Sequence, residues 1–176
     1  MELSFNSDIS KETVFTTVEN YIQQQALGIE KKDSNRPWGG FFVLNEKDAE
    51  KFIQLFFPHL TKDDISISGK LSPKLLVVAP DKRLSWQYHH RRAEIWKLIG
   101  GTARVITSDN DEETESTLLN KGDIVQLNQG RRHRLIGDTD SWGIVAEIWQ
   151  HTDADEPSDE DDIIRLQDDF GRGSPE

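Results

Sequence analysis

The sequence predicts an all-β fold, an antiparallel sandwich or barrel preceded by helical segments. From Leu60 onward, short segments of branched and aromatic residues are separated by turn residues such as Pro80-Asp81 and Gly100-Gly101. Regular short strands bounded by turns are typical of antiparallel sandwiches and barrels. The length of 176 residues corresponds to one domain with a sizeable core, and the mean hydropathy of -0.66 fits a soluble protein.

Two helices are expected before most of the strands. Ser10 is a suitable N-cap for a helix that runs to about Leu27, and a polar linker follows at 31–35. A second helix is predicted at about 46–60. Each helix has an apolar stripe, so the first should pack on the domain or on a second subunit. Nine strands are then expected at 65–68, 74–78, 84–89, 95–99, 103–108, 114–119, 123–127, 133–136 and 142–149.

These elements divide the chain into three parts. Residues 1–35 form an N-terminal helical extension, 36–152 the barrel with its helical insertion at about 46–60, and 153–176 an acidic C-terminal tail. Seven of the ten residues at 153–162 are acidic, which predicts a solvated segment. An apolar pattern returns at 162–166, where the chain can dock again.

Composition limits the partners of the protein. The sequence contains no cysteine, which excludes disulfides and thiolate metal sites, and its net charge of -11 argues against nucleic acid. No apolar run is long enough for a membrane span and the first residues do not resemble a signal peptide, so we expect no membrane partner and a cytoplasmic location. Basic residues cluster near the ligands described next, which indicates a small anion as partner: Lys82, Arg83, Arg91, Arg92, Arg131, Arg132 and Arg134.

Four polar residues form a candidate metal site. Gln87 and His89 are two apart, so both side chains leave the same face of a strand. Glu94 follows after a short bend, and His133 comes after the turn at Gly130. One amide oxygen, two imidazoles and one carboxylate suit one divalent ion such as Zn, Mn, Fe, Co or Ni.

The spacing of these residues resembles the paired motifs of the cupin superfamily. Six segments resemble more closely the cupin domain of type II phosphomannose isomerases, which in that family usually follows a nucleotidyltransferase that makes GDP-mannose. They are RPWG at 36–39, LSWQYHHRRAEIW at 84–96, GTARV at 101–105, GD at 122–123, HRL at 133–135 and DDIIR…D.FGR at 161–172. The resemblance implies a single cupin barrel, glutamine as the first metal ligand, and interconversion of mannose 6-phosphate and fructose 6-phosphate.

The resemblance also implies roles for three arginines. Arg92 matches an arginine needed for isomerisation, and Arg134 and Arg172 match positions that could hold a phosphate through charge-assisted hydrogen bonds. Glu147 is a candidate general base, because its apolar strand would raise its pKa. Glu147 could equally be a fixed partner for one of the arginines.

Several alternatives remain open at this point. Ile95 stands where the family has histidine, as does Arg91, and such a change fits either an isomerase of another sugar, such as a pentose or a heptose phosphate, or a non-catalytic sugar-binding cupin. Trp38 or Trp86 could line a pocket, although large aromatics are more often core residues. By analogy with other cupins we expect a homodimer, with the N-terminal helix as a plausible contact.

Overall fold

The computed structural model describes residues 2–173 as two antiparallel sheets with helices packed outside one of them. One sheet has six strands in the order β1-β2-β3-β10-β5-β8, and the other has five in the order β11-β4-β9-β6-β7. The predicted all-β class is therefore confirmed. The strands are β1 (Ile29–Arg36), β2 (Gly39–Leu44), β3 (Lys74–Val78), β4 (Trp86–Tyr88), β5 (Arg92–Gly101), β6 (Ala103–Ser108), β7 (Thr117–Leu119), β8 (Ile124–Leu127), β9 (Arg132–Gly137), β10 (Gly143–His151) and β11 (Ile164–Gln167).

Two apolar clusters stabilise this arrangement. The cluster between the sheets includes Trp96 and Leu98 of β5 together with Val105 of β6 and Leu135 of β9. The second lies between the six-stranded sheet and the helices. Alternation along β5 divides its side chains between the two clusters, because successive residues of a strand point to opposite faces.

The N-terminal helix α1 (Lys11–Gln24) begins where the sequence predicts it. The Ser10 hydroxyl accepts a hydrogen bond from the backbone N–H of Thr13, which is an N-cap contact. The apolar stripe of α1 is buried against the outer face of the six-stranded sheet, in contact with the cluster that holds Ile95 and Ile144. None of the helices formed by residues 2–173 is long and apolar enough to cross a membrane.

Two segments differ from the sequence-based expectation. The polar residues at 31–35 form part of β1, which pairs with β2; Asp33, for example, lies opposite Phe41. This segment is therefore an edge strand rather than a linker. The strand expected at 65–68 is wrong, because a capping box between Thr61 and Asp64 starts the short helix α3 (Lys62–Ile65) there. The insertion thus contains a 3-10 turn (Glu46–Asp48), α2 (Ala49–Phe56) and α3.

The acidic stretch after β10 folds back onto the barrel. Residues 152–163, which we call the returning segment, lead into β11, and β11 pairs with β4. The carboxylate of Asp162 accepts hydrogen bonds from the backbone N–H groups of His90 and Arg91, both at 2.9 Å, and from the Ser158 hydroxyl at 2.6 Å. Ser158 and Asp162 are buried. The expectation of a wholly solvated acidic segment is therefore wrong at these two residues.

Candidate functional site

Three of the four predicted metal ligands converge in the barrel. His89 follows β4, Glu94 lies on β5 and His133 on β9, and one ligand atom from each lies within 4.8 Å of the others. The Nε2 atoms of the two histidines are 3.3 Å apart, and the Glu94 carboxylate lies 3.2 Å from His89 Nε2 and 3.5 Å from His133 Nε2. All three side chains are buried. They form a group that could hold a metal ion.

The other nitrogen of each imidazole is held by a backbone carbonyl. His89 Nδ1 lies 2.7 Å from the carbonyl oxygen of Asp162, and His133 Nδ1 lies 2.9 Å from that of Arg131. A carbonyl oxygen only accepts, so each Nδ1 carries the proton and each neutral ring presents a bare Nε2 to the centre of the cluster. Such outer contacts are the usual way in which ligating histidines are oriented.

The protonation states of the cluster suit metal binding. Burial alone would raise the pKa of Glu94, but the adjacent His89 ring and the positive charge of Arg92 hold it well below its usual range, so the carboxylate stays ionised. Burial lowers the pKa of His133 to about 4, which keeps this imidazole neutral at physiological pH. A charged carboxylate and a neutral imidazole are the forms that bind a cation.

Gln87, the fourth predicted ligand, lies beside the cluster. It is directly opposite His133 in the pairing of β4 with β9, so the two side chains share a face of the sheet. Its Oε1 accepts a hydrogen bond from the Ser85 hydroxyl at 2.5 Å, and its side chain lines the cavity described below.

Arg92 lies against the cluster and is held on several sides. Its Nε donates to the Glu94 carboxylate at 2.8 Å, and a terminal nitrogen lies 3.2 Å from His89 Nε2. The other terminal nitrogen donates to the Ser158 hydroxyl at 2.8 Å, and the guanidinium carbon lies 3.6 Å from the centre of the Trp149 ring. Arg92 is thus a fixed cation, 6% exposed, next to the candidate ligands.

A cavity of about 240 Å³ opens beside Gln87, Arg92 and Glu94. Its lining is rich in charge of both signs and also includes four aromatic rings, those of Trp38, Phe41, Trp96 and Trp149. A concave site with a few convergent polar groups is the usual form of a small-molecule pocket. The cations that line it are Arg36, Lys74, Arg92, Arg165 and Arg172, and the acids are Glu94, Glu147, Glu160 and Asp161.

Glu147, the candidate base, lies on β10 in the wall of this cavity. One of its carboxylate oxygens accepts from Trp96 Nε1 and the other from Trp149 Nε1, both at 2.8 Å. Burial raises the pKa of Glu147 to about 8, and the negative charge of Glu94 acts in the same direction. The alternative role of Glu147 was that of a fixed partner for an arginine. Within residues 2–173, the side-chain hydrogen bonds of Glu147 go to the two indoles and none goes to an arginine.

Several charged groups of the cavity were not expected from the sequence, among them Lys74 and Glu160. Lys74 begins β3, is 5% exposed, and pairs directly opposite Glu147 across β3 and β10. Its ammonium group forms an ion pair with Glu160 of the returning segment and lies 3.9 Å from the centre of the Trp149 ring. A lysine at the start of an otherwise apolar strand was the signal available in the sequence.

The two predicted phosphate ligands lie in different places. Arg172 lines the cavity, and its guanidinium donates two hydrogen bonds to the carboxylate of Asp168, each at 2.9 Å. Arg134 is fully buried on the other face of β9 and is not among the residues that line the cavity. Its guanidinium donates to the Leu84 carbonyl at 2.9 Å and to Glu113 at 2.7 Å. This placement favours a structural role for Arg134.

Position 95 lies away from the cavity. Ile95 is 3% exposed and belongs to the cluster between the six-stranded sheet and the helices, whereas Glu94 and Trp96 face the cavity. A side chain at this position therefore packs against the helices. Of the two tryptophans considered for a pocket role, Trp38 lines the cavity, while Trp86 is buried with its Nε1 donating to the Asp111 carbonyl.

Comparison with known proteins identifies a family. Residues 44–168 match the family described as mannose-6-phosphate isomerase C-terminal. The alginate biosynthesis protein AlgA of Pseudomonas aeruginosa is 30% identical over 129 residues, which cover 71% of this chain and 24% of that protein. The mannose-1-phosphate guanylyltransferase ManC of Salmonella typhimurium is 29% identical over 119 residues, which cover 68% of this chain and 23% of that protein. The chain spans about a quarter of the length of these relatives.

A solved structure with a similar fold is the capsular polysaccharide assembling protein CapF of Staphylococcus aureus. Its TM-score is 0.50 at 13% identity, and the match covers 80% of this chain and 34% of that one. At this identity the likeness concerns the fold alone. Together with the two antiparallel sheets and the family match, it confirms the cupin-type barrel expected from the sequence.

Proposed function

The chain belongs to the family of mannose-6-phosphate isomerase C-terminal domains, and from this premise we propose that it is a metal-dependent aldose–ketose isomerase of a phosphorylated sugar. Mannose 6-phosphate and fructose 6-phosphate are the substrate pair we favour. The observation that carries the proposal is the convergence of His89, Glu94 and His133 beside a cavity that is lined by Glu94 and by a second buried carboxyl group, Glu147.

The residues present fit a divalent metal ion. Two bare Nε2 atoms and an ionised carboxylate point to one centre, and Gln87 adds an amide oxygen from the neighbouring strand position. This donor set suits Zn, Mn, Fe, Co or Ni. His89 Nε2 has a single lone pair, so a metal ion held there would take the place of the hydrogen bond from Arg92. Arg92 then keeps its hydrogen bonds to Glu94 and Ser158.

Protons move through the chain's own groups in this proposal. A bound divalent ion supplies positive charge that favours negative charge on the substrate oxygens. Glu147 accepts the proton from C2 at one carboxylate oxygen and returns it to C1, while the hydroxyl proton of O2 passes to O1, so that the aldose becomes the ketose with no change in composition. A pKa of about 8 suits a group that must both take and give a proton near neutral pH. Trp96 and Trp149 keep the carboxylate oriented.

Arg92 and Arg172 have separate tasks. Arg92, fixed beside Glu94, adds positive charge next to the reacting atoms and holds the ligand carboxylate in place. Arg172 lines the more open part of the cavity, with 24% of its side chain exposed, and is suited to the substrate phosphate. We do not assign Arg134 to the substrate, because it lies outside the cavity lining.

The test combines metal analysis with isotope exchange. Metal-loaded protein is incubated in deuterated water with mannose 6-phosphate, a pentose, a heptose phosphate and free mannose, and deuterium at C2 is measured by NMR. We expect exchange and fructose 6-phosphate from mannose 6-phosphate. Exchange only in another sugar would change the substrate. No exchange in any sugar with fully loaded protein would leave a sugar-binding cupin and refute the isomerase.

A further inference from the structure

Three arginines from separate parts of the sequence line the same cavity. Arg36 ends β1, Arg165 lies on β11 and Arg172 follows it. The side chains of Arg36 and Arg172 are 34% and 24% exposed, against 3% for Glu94. The guanidinium groups of Arg36 and Arg172 therefore lie nearer to solvent than the metal-ligand cluster does, which places them toward the mouth of the cavity.

Arg165 lies next to the candidate metal centre. It is directly opposite Gln87 in the pairing of β11 with β4. Directly opposite residues of an antiparallel pair share a face, with their Cβ atoms about 4.5–5.5 Å apart. A ligand that reaches from the metal cluster toward the mouth of the cavity therefore passes beside Arg165.

The three positive charges act on one another. Burial lowers the pKa of Arg165, and the charges of Arg172 and Arg36 act in the same direction, whereas Asp168 opposes them. Like charges gathered in one cavity favour the binding of an anion. All three are held in place, Arg36 by Asp33 at 3.0 Å, Arg172 by Asp168 at 2.9 Å and Arg165 by the Gly173 carbonyl at 2.6 Å. Preorganised donors bind at a lower entropic cost.

We propose that Arg36, Arg165 and Arg172 together form the site for the phosphate monoester of the substrate, and that they select phosphorylated over free sugars. This inference rests on the proposed function for the identity of the ligand. A guanidinium group offers a planar pair of N–H donors that matches phosphate oxygens. The assignment moves phosphate binding from Arg134 to residues that line the cavity.

Calorimetric titration of the metal-loaded protein with inorganic phosphate tests the site directly. We expect Arg165→Gln and Arg36→Gln each to weaken phosphate binding by about tenfold or more, because each removes a charge-assisted hydrogen bond. Arg165→Lys should bind with intermediate affinity. The matched control is Arg104→Gln, a half-buried strand arginine outside the cavity lining, which should bind phosphate as the wild type does.

The outcome separates this site from the proposed reaction. Phosphate binding that is unchanged in both Arg36→Gln and Arg165→Gln, or that falls equally in Arg104→Gln, would overturn the site. Arg36 is partly exposed, so Arg36→Gln should fold even if Arg165→Gln does not. Selective loss of phosphate binding in a protein that exchanges no sugar proton would support the site and refute the isomerase. If mannose 6-phosphate exchanges its C2 proton and Arg36→Gln leaves that exchange unaffected, the isomerase is supported and the phosphate site is refuted.

Discussion

The carboxyl group of Glu147 is buried and accepts hydrogen bonds from two indole N–H groups. Burial raises its pKa to about 8, and the same surroundings orient both carboxylate oxygens toward Trp96 and Trp149. The sequence identified Glu147 as a candidate base, because a carboxyl group among apolar neighbours in a strand is expected to be buried. It did not identify Lys74, since only the pairing of β3 with β10 places that lysine opposite Glu147.

Replacing Glu147 by glutamine tests its role as base. Glu147→Gln keeps the shape of the side chain but cannot accept the substrate proton, so C2 exchange should fall by about 10²- to 10⁴-fold. The control is Glu113→Gln, which changes a carboxylate that pairs with Arg134 outside the cavity lining. Rates are measured by NMR in deuterated water. A Glu147→Gln protein with near wild-type exchange would exclude Glu147 as the base.

The raised pKa of Glu147 also predicts a pH-dependent stability of the metal-free protein. The folded value of about 8 lies above the ordinary value of 4.5, so the unfolded chain releases this proton first as the pH rises. The stability contributed by neutral Glu147 is present below about pH 4.5 and is lost as the pH approaches 8. Urea unfolding should show this loss in the wild type and not in Glu147→Gln. Parallel pH profiles for the two proteins would contradict the assignment.

At the scale of the element, the returning segment (152–163) forms one side of the metal-ligand cluster. The backbone carbonyl of Asp162 accepts a hydrogen bond from His89, and the Asp162 carboxylate accepts one from the backbone N–H that follows His89. The Ser158 hydroxyl accepts a hydrogen bond from Arg92. Sequence composition predicted a solvated stretch because seven of ten residues at 153–162 are acidic. Composition could not distinguish the buried Ser158 and Asp162 from their exposed neighbours. Asp162 is buried because it accepts hydrogen bonds from the backbone N–H groups of His90 and Arg91, which are distant in sequence, and Ser158 donates to Asp162.

Asp162→Ala should therefore reduce both stability and metal affinity. The substitution removes the acceptor for two backbone N–H groups and one hydroxyl, so we expect a loss of about 2–4 kcal/mol in the free energy of unfolding. Metal affinity should fall about tenfold or more, because the Asp162 backbone carbonyl that orients His89 loses the side-chain hydrogen bonds that fix its position. Asp155→Ala, at an exposed position of the same segment, is the control. Equal effects of the two substitutions would contradict this role.

Strand β5 shows how far alternation alone could predict the site. Arg92, Glu94 and Trp96 face the cavity while Ile95 faces the helices, as a period of two requires. The metal ligands were accessible to sequence reasoning because they lie in two motifs of fixed spacing. Arg36 and Arg165 could not be assigned to the site from the sequence, because only the folded barrel brings the end of β1 and strand β11 to one cavity.

On the scale of the whole molecule, two sheets surround the metal-ligand cluster, and the C-terminal strand β11 forms one edge of the five-stranded sheet. Barrel class and the N-terminal helix followed from strand spacing and from the cap at Ser10. The helical insertion was predicted, but its division into α2 and α3 depends on the capping box at Thr61. The homodimer and the cytoplasmic location stay predictions.

Metal binding should stabilise the whole fold. A divalent ion at a hundredfold excess over its Kd should raise the free energy of unfolding by about 2.7 kcal/mol, because the unfolded chain lacks the assembled ligands. Thermal unfolding with Zn²⁺, Mn²⁺ or Co²⁺ measures the shift. His133→Ala should abolish the shift, whereas His90→Ala, an exposed neighbour of His89, should retain it. A shift that survives His133→Ala would place the ion elsewhere.

The most direct measurement is anomalous diffraction from crystals of the metal-saturated protein, recorded at the absorption edge of the added ion. We predict one strong peak about 2.0–2.2 Å from the Nε2 atoms of His89 and His133 and from the Glu94 carboxylate. A saturated crystal with no peak at these three side chains, or with peaks only at exposed carboxylates such as Asp109, would contradict the account.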